Sequence, residues 1–225
     1  MAKISLARRA DPNHQLPDGS TLLAWAVENQ DREMVRLLLS KGAKPNEVDT
    51  TSTMPLAVAC QHGDAAIIDL LLDAGADTNV ALADGITALS LCAGNAPVAI
   101  LKRLIASGAA VDKADDKGQT SLMWAAAKGR IDNIQVLLER GALINRRTER
   151  GFTPLFFALK SGNSQAPIAV LEAGGDPDYI APDGTSVVQL AMYQQDYNFA
   201  ARMIERGANL TAFDRNGNQL LHAAV

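Results

Sequence analysis

Aromatic residues are scarce in this 225-residue chain: Trp, Tyr and Phe number 2, 3 and 5, or 4% of the whole. Its interior must therefore be filled by Leu, Ala, Val and Ile, which favours close-packed helices. Cysteine is scarcer still. Cys60 and Cys92 are the only two, too few for a disulfide framework at this length, and they read as reduced, buried thiols. No apolar window of about 18 residues exists, which argues against a membrane span, and Met1 to Arg9 lacks the apolar stretch and cleavage site of a signal peptide. A soluble protein is expected, cytoplasmic by default, with a secreted or periplasmic location open if a leader has been removed. Net positive charge is also missing. A formal charge of −4 and a pI near 5.4 argue against general nucleic-acid binding, which draws on a basic field that releases counterions.

What is present is a repeat. Gly42, Gly75, Gly108, Gly141, Gly174 and Gly207 recur every 33 residues, and a second column, Gly19, Gly85, Gly118, Gly151, Gly184 and Gly217, keeps the same interval, with Ser52 in its empty slot. Within each unit the pattern is helix, turn, helix, polar loop. In the unit from Asp18 to Thr50, Thr21 caps a first run through Val27, Asp31 opens a second run through Leu39, and Gly42 ends it. Helices of two to three turns are marginal alone in water, so each unit must bury its apolar face against its neighbours. Dipeptides such as Asp84-Gly85, Arg150-Gly151 and Asp183-Gly184 mark tight hairpin turns at the loop tips.

These residues resemble the ankyrin-repeat family. Its pattern, roughly D-G-x-T-P-L-H-x-A-A followed by L-L and G-A-D-x-N, is matched by Gly151-Phe152-Thr153-Pro154-Leu155 with Ala158, and by Gly75-Ala76-Asp77-Thr78-Asn79. The resemblance implies an all-α solenoid of stacked helix-turn-helix units with short β-hairpin-like fingers. One continuous domain is expected, with a partial repeat over 1–17, full repeats over 18–50, 51–83, 84–116, 117–149, 150–182 and 183–215, and a partial repeat over 216–225. One helical column reads Ala26, Ala59, Cys92, Ala125, Ala158 and Ala191, small enough for close helix approach, and Leu23, Leu56, Leu89, Leu122, Leu155 and Val188 form a second. Leu38, Leu71, Leu104, Leu137, Val170 and Met203 extend the spine through the second helices. The family's first-helix His is present only at His222, and the segment Thr50 to Met54 lacks a turn Gly and a capping Thr. Pro167 lies where the second helix of its unit should be under way, so that helix is expected to start late.

Catalytic signatures are absent: there is no G-x-S-x-G, H-E-x-x-H, G-x-x-x-x-G-K or G-x-G-x-x-G. His14, His62 and His222 fall in separated units, too far apart for a triad or a metal cage. Cys60-Gln61-His62-Gly63-Asp64 contains metal-ligating residue types, but Cys60 reads as core-facing and His62 as surface, and a structural zinc needs four converging ligands. Cys60 and Cys92 occupy different positions in successive units, so a bond between them is not expected. The expectation is no enzyme, no cofactor and no metal.

Charge is unevenly placed. Thr51 to Ala83 carries Asp64, Asp69, Asp73 and Asp77 with no Lys or Arg, whereas Lys117 to Arg150 carries seven cations against three anions. In ankyrin repeats the partner lies on the concave surface of finger tips and first helices. Positions carried over from that pattern give Phe152, Trp124, Lys128, Arg146, Arg147, Arg150, Lys160 and Tyr193 as one basic and aromatic patch, with Ile86 a further apolar tip. The expected function is a non-catalytic scaffold or adaptor that binds another protein. Two alternatives stand beside it: a targeting or regulatory segment of a larger enzyme or effector, and binding of an acidic polymer or lipid headgroup through Arg146 to Arg150. Uncovered apolar residues at the ends, such as Leu220 and Leu221, add self-association to the expected partners; nucleic acid and membrane insertion are not among them.

Overall fold

The computed structural model describes residues 11–47 and 54–208. The finger at Thr50 to Thr53, the segment through Ala10, and the last half repeat with His222, Leu220 and Leu221 lie outside the described residues. The chain divides into two compact units, the first ending at Asp116 and the second beginning at Lys117. The first holds three helix pairs: α1 (Leu22–Glu28) with α2 (Arg32–Ser40), α3 (Pro55–His62) with α4 (Ala65–Asp73), and α5 (Ala88–Asn95) with α6 (Val98–Ala106). The second also holds three: α7 (Ser121–Ala127) with α8 (Ile131–Glu139), α9 (Pro154–Leu159) with α10 (Gln165–Glu172), and α11 (Val187–Tyr193) with α12 (Tyr197–Glu205). Among the described residues extended pairing is limited to isolated antiparallel bridges such as Ala81 with Thr87 and Ile180 with Ser186 at finger bases. The fold is all-α, as the repeat pattern implies.

Local chemistry sets the helix ends. Thr21 and Thr87 accept the backbone N–H three residues on, at 3.0 and 3.1 Å, and Ser186 with Gln189 forms a reciprocal capping box. Met54 fills the same place before α3 and offers no side-chain acceptor. At the other end of the pair, Gly42 adopts φ +92°, its N–H bonds Leu39 O at 3.1 Å, and the Ala43 N–H bonds Leu38 O at 3.0 Å. These two bonds close orphan carbonyls of α2, and the left-handed residue between them is glycine because a Cβ there would be strained. Pro167 is the third residue of α10, inside the first turn where its missing N–H is not needed. That helix starts one residue later than the 33-residue interval from α8 would place it.

Both apolar columns are buried. In the first unit Ala26, Ala59, Leu23, Leu56, Leu89, Leu38, Leu71 and Leu104 are all at most 2% exposed, and Ala125, Ala158, Ala191, Leu122, Leu155, Val188, Leu137, Val170 and Met203 match them in the second. Each such leucine contributes on the order of 2 kcal/mol relative to exposure.

The two cysteines depart from expectation. Cys60 on α3 and Cys92 on α5 are disulfide-bonded, with Cα atoms 4.6 Å apart, and both are fully buried. Residues in one column point the same way in every unit and do not meet. Groups that face each other across two parallel first helices must come from opposite flanks, hence from different columns. Cys60 follows its Ala column by one residue and Cys92 sits in it, so the sequence separation is 32, one short of the repeat.

Side-chain bridges tie neighbouring repeats together. Asn46 donates from Nδ2 to Gly75 O at 3.0 Å and accepts the Asp77 N–H on Oδ1 at 2.8 Å. Asn79 does the same with Gly108 O and the Ala110 N–H, both at 3.0 Å, and Asn145 repeats the motif in the second unit with Gly174 and Asp176. Three of the four acidic residues of the second repeat also reach a neighbouring repeat, and the fourth, Asp77, turns its own loop. Asp64 caps α4 and pairs with Arg32 at 3.0 Å, Asp69 and Asp73 together grip Arg103, and Asp77 accepts the Asn79 N–H. Three of the four carboxylates at the negative end of the charge pattern are thus engaged by arginines of neighbouring repeats.

Candidate functional site

In the second unit the finger between α8 and α9 is closed by its own backbone. Thr148 donates its N–H to Phe152 O at 2.9 Å, the Gly151 N–H returns to Thr148 O at 2.8 Å, and the Phe152 N–H bonds Thr148 Oγ1 at 3.0 Å. A second support comes from the loop that closes the same repeat. The Tyr179 hydroxyl donates to Gly151 O at 3.0 Å, its ring is 2% exposed, and the Arg147 guanidinium lies over that ring at 5.6 Å from the centroid. Burial pushes the Tyr179 hydroxyl up to about 12, so it remains a donor throughout the neutral range.

Held this way, Phe152 folds back onto the first helix of its own repeat rather than standing free in solvent. Its ring stacks on Phe156 with centroids 4.4 Å apart and meets Phe157 edge-on at 6.5 Å, while Phe156 and Phe157 are themselves perpendicular. Lys160 reaches back from the end of α9 to within 5.8 Å of the Phe156 ring. The three phenyls floor a cavity of about 450 Å³ whose walls are Lys117, Gln119, Thr148, Glu149 and Arg150. A second cavity of about 180 Å³ adjoins it through Gln119 and Phe157 and is completed by Met123, Trp124, Ala127 and Lys128. The combined size is that of ligand-binding clefts.

Two electrostatic features belong to the groove, and it is the aromatic floor beside them that sets its cations apart from the others. Lys128, Arg150 and Lys160 are exposed on its margin and make no ion pair among the described residues, in contrast to Arg32, Arg103 and Arg202, which each hold a carboxylate of a neighbouring repeat. Trp124 Nε1 is buried with no hydrogen-bond partner among the described residues. An unsatisfied buried donor costs about 1–3 kcal/mol, and such a cost in a stacking residue marks a place where stability is not the only demand.

Phe152, Trp124, Lys128, Arg150 and Lys160 are brought onto one groove, as the tip positions suggested. Arg147 is turned toward Tyr179, and Arg146 is half-buried at the finger base. Tyr193 is 45% exposed on α11 and lines neither cavity, and Ile86 belongs to the first unit. Gln119 is a finger-tip position like Phe152, whereas nothing in the repeat pattern marks Phe156 or Tyr179 as part of the site. The available signal was the crowding of three of the chain's five phenylalanines into positions 152–157. A larger cleft of about 660 Å³ lies between α8 and α10, but it is shallow and carries carboxylates rather than cations, Glu139 and Glu172, the latter bonded to Arg202 at 3.3 Å.

Near Cys60, His62 Nε2 lies 3.6 Å from Glu28 Oε2, while the Cys60 sulfur is committed to Cys92. No group of three or more His, Cys, Asp or Glu suited to a metal occurs among the described residues. No helix among them is long and apolar enough to cross a membrane.

A family model described as ankyrin repeats (3 copies) matches residues 1–81, 57–148 and 89–179. No curated protein matches the chain. With that match spanning most of the sequence, and with helix pairs, glycine stops and bridged fingers recurring at its 33-residue interval, the chain belongs to the ankyrin-repeat family.

Proposed function

We propose that this chain is a non-catalytic module that binds another protein in the groove formed by the finger at 148–152 and the first helices α7 and α9. Ankyrin repeats are generally protein-protein interaction modules and generally non-catalytic. The observation that carries the reading is the pairing of an aromatic floor with cations that the stack does not use: Phe152, Phe156 and Phe157 beneath, Lys128, Arg150 and Lys160 around. Aromatic and cationic groups converging on one concavity are what protein interfaces concentrate at their centres.

The test places a photo-crosslinking amino acid at Gln119, which lines both cavities, and at Gln135, exposed on the second helix α8. A discrete protein adduct from Gln119, absent from Gln135, is the expected result. Equal labelling at both positions, or none at Gln119, would remove the groove from the argument. A second observation bears on where the module works. The buried Cys60–Cys92 bond favours an oxidising compartment over the cytoplasmic default, because intrachain disulfides persist where thiols are not kept reduced.

A further inference from the structure

We propose that the occupant of this groove is an extended acidic peptide segment in which a single aromatic or large aliphatic residue is flanked on both sides by carboxylates. The inference rests on the binding reading above and names its chemistry.

Cations stand around an apolar floor. Phe152, Phe156 and Phe157 floor the larger cavity, Arg150 stands on its wall, and Lys128 stands on the wall of the adjoining one beyond Phe157. Phe157 lines both cavities, with Lys117 and Arg150 against the single carboxylate of Glu149 on the larger and Lys128 on the smaller, so each cavity brings a cation to the shared apolar floor and the complement is an apolar anchor with acidic residues to either side. Lys160, drawn over the Phe156 ring, adds positive potential close to the anchor position. None of these three cations is neutralised by a carboxylate within ion-pair distance among the described residues, so an incoming acidic side chain displaces no existing partner. Charge-assisted bonds at the rim speed association and fix register, while the anchor supplies most of the affinity by leaving water.

A single-stranded nucleic acid also favours cations beside aromatic rings, but it needs free ring faces on which bases stack. Here Phe152 and Phe156 each give a face to the other at 4.4 Å. A peptide anchor needs only the edges and the space between rings.

The test pans a display library of random twelve-residue peptides on the full chain and, in parallel, on the double variant Lys128→Glu with Arg150→Glu. Both residues are exposed, so the fold is retained, and far-UV circular dichroism verifies it. Peptides enriched on the unmodified chain are expected to carry excess Asp or Glu around one Phe, Trp, Tyr, Leu or Met. Synthetic copies are expected to lose at least tenfold in affinity when the anchor becomes Ala, and at least tenfold on the charge-reversed variant. Enrichment without acidic bias, acidic peptides that bind both proteins equally, failure of any sequence to enrich, or tighter binding of a twelve-nucleotide single strand would each overturn the proposal. A groove adduct at Gln119 together with unbiased peptides would discard this chemistry and leave the binding reading standing; absence of both would discard the groove.

Discussion

Breaking the Cys60–Cys92 bond should loosen the first unit at one identifiable interface. The bond joins α3 to α5 across 32 residues of sequence, and in the unfolded chain a closed loop of that length removes conformational entropy worth about 4 kcal/mol at 25 °C. Replacement by alanine introduces little strain. Position 92 belongs to a column that elsewhere holds Ala26, Ala59 and Ala125, and the column of Cys60 holds Val27, Ala93 and Ala126, all buried. A double Cys60→Ala, Cys92→Ala variant is thus expected to lose about 3–4 kcal/mol, a large share of the 5–15 kcal/mol that a folded domain has in total. Because repeats are stabilised mainly by their nearest neighbours, the loss belongs to one interface, and the urea transition should broaden as well as shift.

Urea unfolding followed by far-UV circular dichroism, on the oxidised chain, the reduced chain and the double variant, measures it. The reduced chain and the variant are expected to coincide, both well below the oxidised one. Both sulfurs are fully buried, so a reductant reaches the bond only when the α3–α5 interface opens, and reduction should accelerate steeply as sub-denaturing urea is added. Equal midpoints for oxidised and reduced protein, or labelling of both cysteines by a thiol reagent in denatured but unreduced chain, would refute the argument.

Other expected outcomes follow from single contacts. Asn79→Ala removes a donor from Gly108 O and an acceptor from the Ala110 N–H, and about 1–3 kcal/mol should be lost in urea unfolding; an unchanged midpoint would show that water replaces the bridge. Tyr179 is held with its hydroxyl raised from 10 to about 12, so folding favours its protonated form. The stabilisation is complete below pH 10 and falls as pH rises from 10 towards 12, by at most about 3 kcal/mol, and Tyr179→Phe should abolish that part of the alkaline decline measured by urea midpoints. Trp124→Phe deletes the unpartnered indole N–H while keeping a ring, and is expected to leave stability equal or up to about 1 kcal/mol higher, with weaker binding of the acidic peptides. A loss above about 2 kcal/mol would mean that the indole is satisfied in the native state.

The parts of this molecule that could be read from its sequence are those that repeat. Ala26, Ala59 and Ala125 announce a close helix contact because each supplies the same small side chain at the same interval, and the structure buries them all. The columns do not reveal the disulfide, since a column groups residues that face alike and is silent about which flanks meet. They do not reveal Tyr179 either. That position holds His14, Glu47, Val80, Lys113, Arg146 and Ala212 in the other repeats, so nothing periodic marks the one tyrosine that braces the 148–152 finger from the loop closing repeat 150–182.

Net charge by repeat was legible as arithmetic, but its meaning was not. Asp64, Asp69 and Asp73 are carboxylates facing an arginine of an adjacent repeat, and no count within one repeat reveals a partner about 30 residues away. Those pairs account for the charge of three of the four acids in 51–83. The charges of Lys128, Arg150 and Lys160 are not answered in this way, because no carboxylate among the described residues meets them and three phenylalanines lie between them. Contacts between neighbouring repeats account for Asp64, Asp69 and Asp73 and not for these lysines and this arginine, which is why the search for a partner belongs on the finger at 148–152 rather than on the all-acidic repeat at 51–83.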